Sequence, residues 1–170
     1  MREILDRYTV DSVFIGGPFL SLIDPATGLM SAQDRLRFSR LIDVFEDAGR
    51  EVFNAHRREG WGGDLMPPEQ CSQLDFEGLA ACDLFVGFPG SPASPGTHVE
   101  IGWATAMRKP TLLLLETDEY YTFLVTGLPA WAGVRTYRYT GALGFLDGLD
   151  DEVAQVLAAT SSERRVPQPY

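Results

Sequence analysis

Apolar residues along the chain follow two alternating rhythms. Short β-branched, aromatic or leucine runs at Val10–Ile15, Glu51–Asn54, Asp83–Phe88, Thr111–Leu115 and Val134–Tyr139 have the length and composition of strands. Between them, apolar positions recur at helical spacing. Phe38, Leu41, Ile42 and Phe45 form one stripe between Ser31 and Gly49; Ser31 with Asp34 makes a capping-box-like start, and Gly49 a stop. A second helix opens at Pro67-Pro68 and runs towards Ala81, a third opens at Gly96 and carries Glu100 and Ala104, and a fourth closes the chain from Leu143 to Ala159. Ala55–Gly63 reads as a charged loop and Tyr120–Leu128 as a short connection. Thr111–Leu115 is apolar without alternation, as in a strand covered on both faces. Strands alternating with helices predict a parallel sheet with right-handed crossovers, a doubly wound α/β domain of Rossmann-like or flavodoxin-like form with five strands flanked by helices.

Length sets the domain count. An internal boundary in 170 residues would leave two pieces each too small to bury much core, so a single domain over residues 1–160 is expected, with 161–170 as a flexible tail. Charge narrows the partners: 24 acidic against 14 basic residues, a net −10, argues against nucleic-acid binding and against a membrane surface, both of which ask for a basic patch. A small anion is compatible with that field where backbone donors are concentrated. Cys71 and Cys82 form no CxxC pair and no disulfide framework, which fits a reduced, cytoplasmic chain. The segment Met1–Arg7 mixes charges and has no apolar core of a signal peptide, and no run reaches membrane-spanning length. His56 and His98 have no third ligand at metal spacing, so no metal is expected.

The candidate chemistry gathers where strands end. Gly16-Gly17-Pro18-Phe19 closes the first strand in a tight turn that a ligand can approach closely, with Phe14 and Phe19 flanking the glycines; Phe14 reads as core and Phe19 as a ring able to stack on a planar ligand. Ser94-Pro95-Gly96-Thr97-His98-Val99-Glu100 joins a small-residue loop to a helix start. Ser94 and Thr97 supply hydroxyls, and Gly96 and Thr97 supply amides that a first helical turn leaves unpaired, a set that satisfies phosphate oxygens without lysine. It is neither a Walker loop nor a GxGxxG fingerprint. Glu100 follows one to two turns into that helix, its only acid, placed to attack a sugar carbon; Asp75 on the preceding helix is placed to meet it across the top of the sheet. His56, Arg57 and Arg58 follow the second strand at the same edge, where an arginine can contact phosphate or base, or else pair with an acid such as Glu59, the commoner use of such a residue.

Taken in order, Val13–Phe19, Asn54-Ala55-His56-Arg57-Arg58-Glu59, Trp61-Gly62, Asp75, Cys82-Asp83, Ser94–Trp103, Lys109-Pro110 and Phe123–Leu128 resemble the nucleoside 2-deoxyribosyltransferase superfamily, in particular its cytidine 5′-monophosphate N-glycosidases of pyrimidine nucleoside antibiotic pathways. The resemblance implies a cofactor-free enzyme that hydrolyses the N-glycosidic bond of a pyrimidine nucleoside 5′-monophosphate through a covalent glycosyl-Glu100 intermediate. It assigns Asp75 to the sugar hydroxyl or the leaving base, and Ser94 to the 5′-phosphate where transferases carry an acid. It also implies a homodimer or larger assembly whose sites are shared, with Thr126 at the position contributed by a neighbouring subunit. Two departures stand out. Leu20 follows the Gly-Gly-Pro-Phe turn where relatives tuned to a 5-hydroxymethyl base carry a polar or basic residue, which favours plain CMP; Phe14 replaces a tyrosine common among transferases. The same residues leave two other functions open, a deoxyribosyltransferase and a nucleotide-binding module without catalysis.

Overall fold

The computed structural model describes residues 1–131 and 133–163. Five parallel strands, β1 (Ser12–Gly16), β2 (Glu51–Phe53), β3 (Leu84–Gly87), β4 (Thr111–Glu116) and β5 (Val134–Tyr139), form one sheet in the order β2-β1-β3-β4-β5. The helices are α1 (Arg2–Arg7), α2 (Ala32–Asp47), α3 (Ala55–Arg58), α4 (Pro68–Ala81), α5 (Pro95–Ala106), α6 (Phe123–Gly127) and α7 (Leu149–Glu163). The expected α/β architecture is present, in the flavodoxin-like order.

Alternation along the strands divides the apolar residues between two cores. Val13 and Ile15 of β1 pack with Leu5, Phe38, Leu41, Phe45, Val153 and other residues under α1, α2 and α7. Phe14, between them, joins Phe85, Leu79, Ile101, Ala104 and Val125 under α4, α5 and α6. Both faces are therefore covered, which is why Thr111–Leu115 carries no polar alternation; all five of its residues are buried. The Ser31 hydroxyl caps α2 by accepting from the amide of Asp34 at 3.1 Å. Asp83 ties the amino-terminal edge together, its Oδ2 accepting from the amides of Asp11 and Ser12 and from the Ser12 hydroxyl.

Several boundaries differ from the sequence expectation. Helix α1 is an addition: six residues are too few to show periodicity, yet Leu5 is fully buried and its carbonyl takes the amide of Val10 at 3.0 Å, so β1 begins at Ser12 rather than Val10. The charged segment after β2 is helical in its first turn, because the Asn54 side chain accepts from the amide of Arg57 at 2.9 Å. At the carboxyl end Gly144–Leu146 forms a separate 3-10 turn and α7 continues past Ala159 to Glu163. The expected tail is thus helical over 161–163, and 164–170 lie outside the described residues. Among the described residues no helix is long and apolar enough to cross a membrane.

Candidate active site

The chain leaves β1 towards β2 and leaves β3 towards β4, so neighbouring strands diverge in their connections and open a crevice at their carboxyl ends. Gly16 and Gly87 lie opposite each other there. A Cβ added to Gly16 would stand 2.5 Å from Glu100 Oε2, and one on Gly17 would stand 2.6 Å from the Phe38 ring. The space denied to a β1 side chain is the space the Glu100 carboxylate occupies. Glu100 reaches it because α5 turns Thr97, Glu100, Ile101 and Ala104 inwards, the spacing of one helical stripe. Its residue is 9% exposed, and its Oε2 is buried with no hydrogen-bond partner.

Asp75 lies one turn before the buried Gly78 and Leu79 on α4, which packs against α5. Arg58 Nη1 donates to Asp75 Oδ1 at 2.8 Å, and Nη2 donates to Glu59 Oε1 at 2.9 Å. Burial raises the pKa of Glu100 well above the usual carboxylate range; the Asp75 charge adds to the rise and Arg58 opposes it. Asp75 is raised by burial too, with Arg58 lowering it through hydrogen bond and charge and Glu59 raising it. The structure thus brings the two acids singled out in the sequence into one electrostatic cluster.

The second end of the site is the start of α5. Pro95 occupies its first position, where a missing N–H costs nothing. Thr97 Oγ1 donates to Ser94 Oγ at 3.0 Å, which leaves the Ser94 hydroxyl hydrogen available to a ligand. The amides of Gly96 and Thr97 fall in the first turn, beyond reach of any intrahelical acceptor, and Gly96 faces open space. His98 donates from Nδ1 to the Ser94 carbonyl at 2.7 Å and so braces this turn. Six positions separate Ser94 from Glu100, about 9 Å of helix rise.

The remaining candidates sit differently. His56 is 1% exposed and uses both ring nitrogens: Asn54 Nδ2 donates to Nδ1 at 3.0 Å and Nε2 donates to the Pro18 carbonyl at 2.9 Å. Burial lowers its pKa to about 4, and it stacks on Phe38 with centroids 3.9 Å apart. Against the expectation of a ligand contact, it is a neutral strut beneath the Gly-Gly-Pro-Phe turn, with half-buried Phe19 tilted on it at 4.7 Å. Arg57 also departs from its expected place. Its guanidinium joins Glu46 of α2 at 2.7 Å and the Val52 carbonyl at 3.2 Å, and Arg58 takes the position at the carboxylates. Successive helical residues point about 100° apart, so a one-turn α3 that gives Arg57 to α2 gives Arg58 to α4; reading the segment as loop concealed this. Phe14 is buried and stacked on Phe85. Thr126 lies exposed on α6 with its hydroxyl donating to the Phe123 carbonyl at 3.1 Å.

The crevice thus combines a buried carboxylate at the switch point of a flavodoxin-ordered sheet, an arginine-held aspartate beside it and an open helix start. No protein-family model and no curated protein matches the chain. Among solved structures it is similar to the solution structure of BlsM, at 42% identity over 95% of this chain and 98% of that one, with a TM-score of 0.74. It is also similar to the Clostridium botulinum CMP N-glycosidase BcmB, at 38% identity over 82% of this chain and 97% of that one, with a TM-score of 0.64. A conserved protein from Enterococcus faecalis V583 shares the fold, at 14% identity over 86% of this chain and 98% of that one and a TM-score of 0.50. The chain belongs to the nucleoside 2-deoxyribosyltransferase-like family.

Proposed function

We propose that this protein is an N-glycosidase that hydrolyses the N-glycosidic bond of a pyrimidine ribonucleoside 5′-monophosphate, CMP, to cytosine and ribose 5-phosphate. The observation that carries the reading is the buried, unpartnered Glu100 Oε2 set about 9 Å of helix rise from the open amides and hydroxyl at Ser94–Thr97. A sugar phosphate anchored at the helix start lays its anomeric carbon towards the carboxylate. The similarity to BcmB, named as a CMP N-glycosidase, supports the same chemistry here.

In this reading a lone pair of the ionised Glu100 carboxylate attacks C1′, the bond from C1′ to the base nitrogen breaks, and its electrons leave on the base, which takes a proton from Asp75 or solvent, a proton that the water of the second step gives back. A glycosyl ester of Glu100 results. Water then attacks C1′, releases ribose 5-phosphate and returns the carboxylate, through transition states of oxocarbenium character. Burial raises the free energy of the charged carboxylate, and positive charge developing on the sugar offsets it where the reaction needs it. Asp75, held by Arg58, receives the sugar hydroxyl or handles the leaving base's proton. Ser94 Oγ and the amides of Gly96 and Thr97 take the phosphate. Leu20, 73% exposed after the Gly-Gly-Pro-Phe turn, offers no donor to a hydroxyl on the base, in keeping with unsubstituted cytosine.

The test is release of free base from a panel of ribo- and deoxyribonucleoside monophosphates, with CMP expected to be cleaved fastest. Glu100→Ala is expected to retain its circular dichroism and thermal transition while losing turnover by roughly a thousand-fold or more, the scale of removing a nucleophile. Substantial residual hydrolysis by a folded Glu100→Ala protein overturns the mechanism.

A further inference from the structure

We propose that Glu59 is a positioning residue for the Asp75 and Glu100 pair, fixing the Arg58 guanidinium so that a single cation stands against both acids. Its consequence for turnover rests on the N-glycosidase reading; the contacts do not. Glu59 is the residue that ends α3, and it is 4% exposed, an uncommon degree of burial for a glutamate. Three donors hold its two oxygens. Arg58 Nη2 donates to Oε1 at 2.9 Å, the amide of Met66 donates to Oε2 at 3.2 Å, and the Cys71 thiol reaches Oε1 at 3.5 Å. Cys71 lies one turn before Asp75 on α4, so the cage ties α3, the segment to Met66 and α4 into one unit.

The arginine is what this cage controls. Its side chain is long, 28% exposed and rich in rotamers, and a single exposed bond to Asp75 would be offset largely by the entropy of holding it. Glu59 supplies the second tine of the fork, leaving Nη1 aimed at Asp75. The groups that face Glu100 are Asp75 from α4 and Arg58 from α3; on α5 itself, His98 is turned to the Ser94 carbonyl. The groups around Asp75 are Arg58, Glu59 and Cys71. With formal charges of +1 on Arg58 and −1 on each of Glu59, Asp75 and Glu100, one guanidinium stands among three carboxylates, so its placement governs whether Asp75 and Glu100 are ionised together.

The test follows the Glu100 and Asp75 carboxyl carbons by NMR through a pH titration of the folded protein, alongside kcat and KM for CMP. Glu59→Ala releases Arg58, and the Glu100 midpoint is expected to rise by about half a pH unit or more, with kcat at neutral pH reduced roughly three-fold or more and KM little changed. A fall in the midpoint means that Arg58 stays in place and Glu59 contributed only its negative charge; an unmoved midpoint with lowered thermal stability means that Glu59 only braces the fold. Either result overturns the proposal. Where Glu59→Ala does not fold, Glu59→Asp keeps the charge and withdraws the oxygens, and the midpoint is again expected to rise, with no movement counting against the proposal. The titration decides the clamp even where the wild-type protein releases no cytosine from CMP, an outcome that instead removes the N-glycosidase reading.

Discussion

At Ser94, one atom's charge decides what the start of α5 attracts. Thr97 donates its hydroxyl hydrogen to Ser94 Oγ, so the serine hydrogen is free to point at a ligand beside two unpaired amides. A hydrogen bond to a charged group is worth roughly 1.5–3 kcal/mol, and 1.4 kcal/mol corresponds to a factor of ten. Ser94→Ala is therefore expected to raise KM for CMP by roughly ten-fold, measured as steady-state release of cytosine. Ser94→Asp replaces a donor with an acceptor that repels phosphate, and the rise is expected to be larger still, with a smaller loss for unphosphorylated cytidine. An unchanged KM for CMP in Ser94→Asp places the phosphate elsewhere. Glu100 obeys the same logic in reverse: its buried oxygen has no donor, which costs stability and leaves a lone pair for chemistry.

The elements hold these residues through joints the sequence only partly declares. The turn after β1 is propped by His56, whose pKa is lowered by burial to about 4 from an ordinary 6.5. A depressed folded-state value means that the unfolded chain binds the proton more readily. The stability this neutral ring contributes is fully present above about pH 6.5 and is lost as pH falls towards 4, on the order of 3 kcal/mol over the window. The raised carboxyls of Asp75 and Glu100 work the other way, their protonated forms favouring the fold at low pH and that contribution fading as pH rises. His56→Phe keeps a ring against Phe38, deletes the bond to the Pro18 carbonyl and has nothing to titrate. Its urea-unfolding free energy is expected to fall below wild type by about 1–3 kcal/mol at pH 7, with the gap closing by pH 4; a gap constant with pH refutes the neutral-strut assignment. The long elements were legible because apolar runs and stripes repeat through them, and Glu100 was legible because it is the single acid in a small-residue helix next to a loop of donors. Helices α1 and α3 were not, since one or two turns carry no measurable period. That obscurity spread to the site: without α3 as a helix, nothing distinguishes Arg57, which goes to α2, from Arg58, which goes to Asp75. Glu59, between an arginine and a glycine, reads as a pairing partner for an arginine, and nothing in the sequence marks the burial that the fold gives it.

At the scale of the whole molecule, two opposed features meet on one edge. Helix α6 follows β4, so it stands at the same carboxyl edge as Ser94 and Glu100, and Val125 alone anchors its middle in the core. Tyr120, Phe123, Leu124 and Trp131 are 79%, 78%, 72% and 70% exposed, a concentration of large apolar side chains that a solitary soluble domain seldom leaves bare. Thr126 is exposed on the same helix, its hydroxyl on the Phe123 carbonyl. We propose that a second copy of the chain covers this face, burying the apolar residues and presenting Thr126 to the neighbouring site. Opposing the association is a net charge of −10 on each chain. Charge repulsion between like subunits is screened by salt, whereas apolar burial is not, so the dimer is expected to tighten as ionic strength rises from about 0.01 to 0.15 M, where the screening length shortens from about 30 to 8 Å. Sedimentation at several salt concentrations measures this. Leu124→Asp, at an exposed position that leaves the core intact, is expected to give a folded monomer with CMP hydrolysis lowered by roughly ten-fold or more, as hot-spot truncation of an interface does. Full activity in a demonstrably monomeric Leu124→Asp protein means that each chain carries a complete site, and a wild-type protein that stays monomeric at high salt removes the assembly itself.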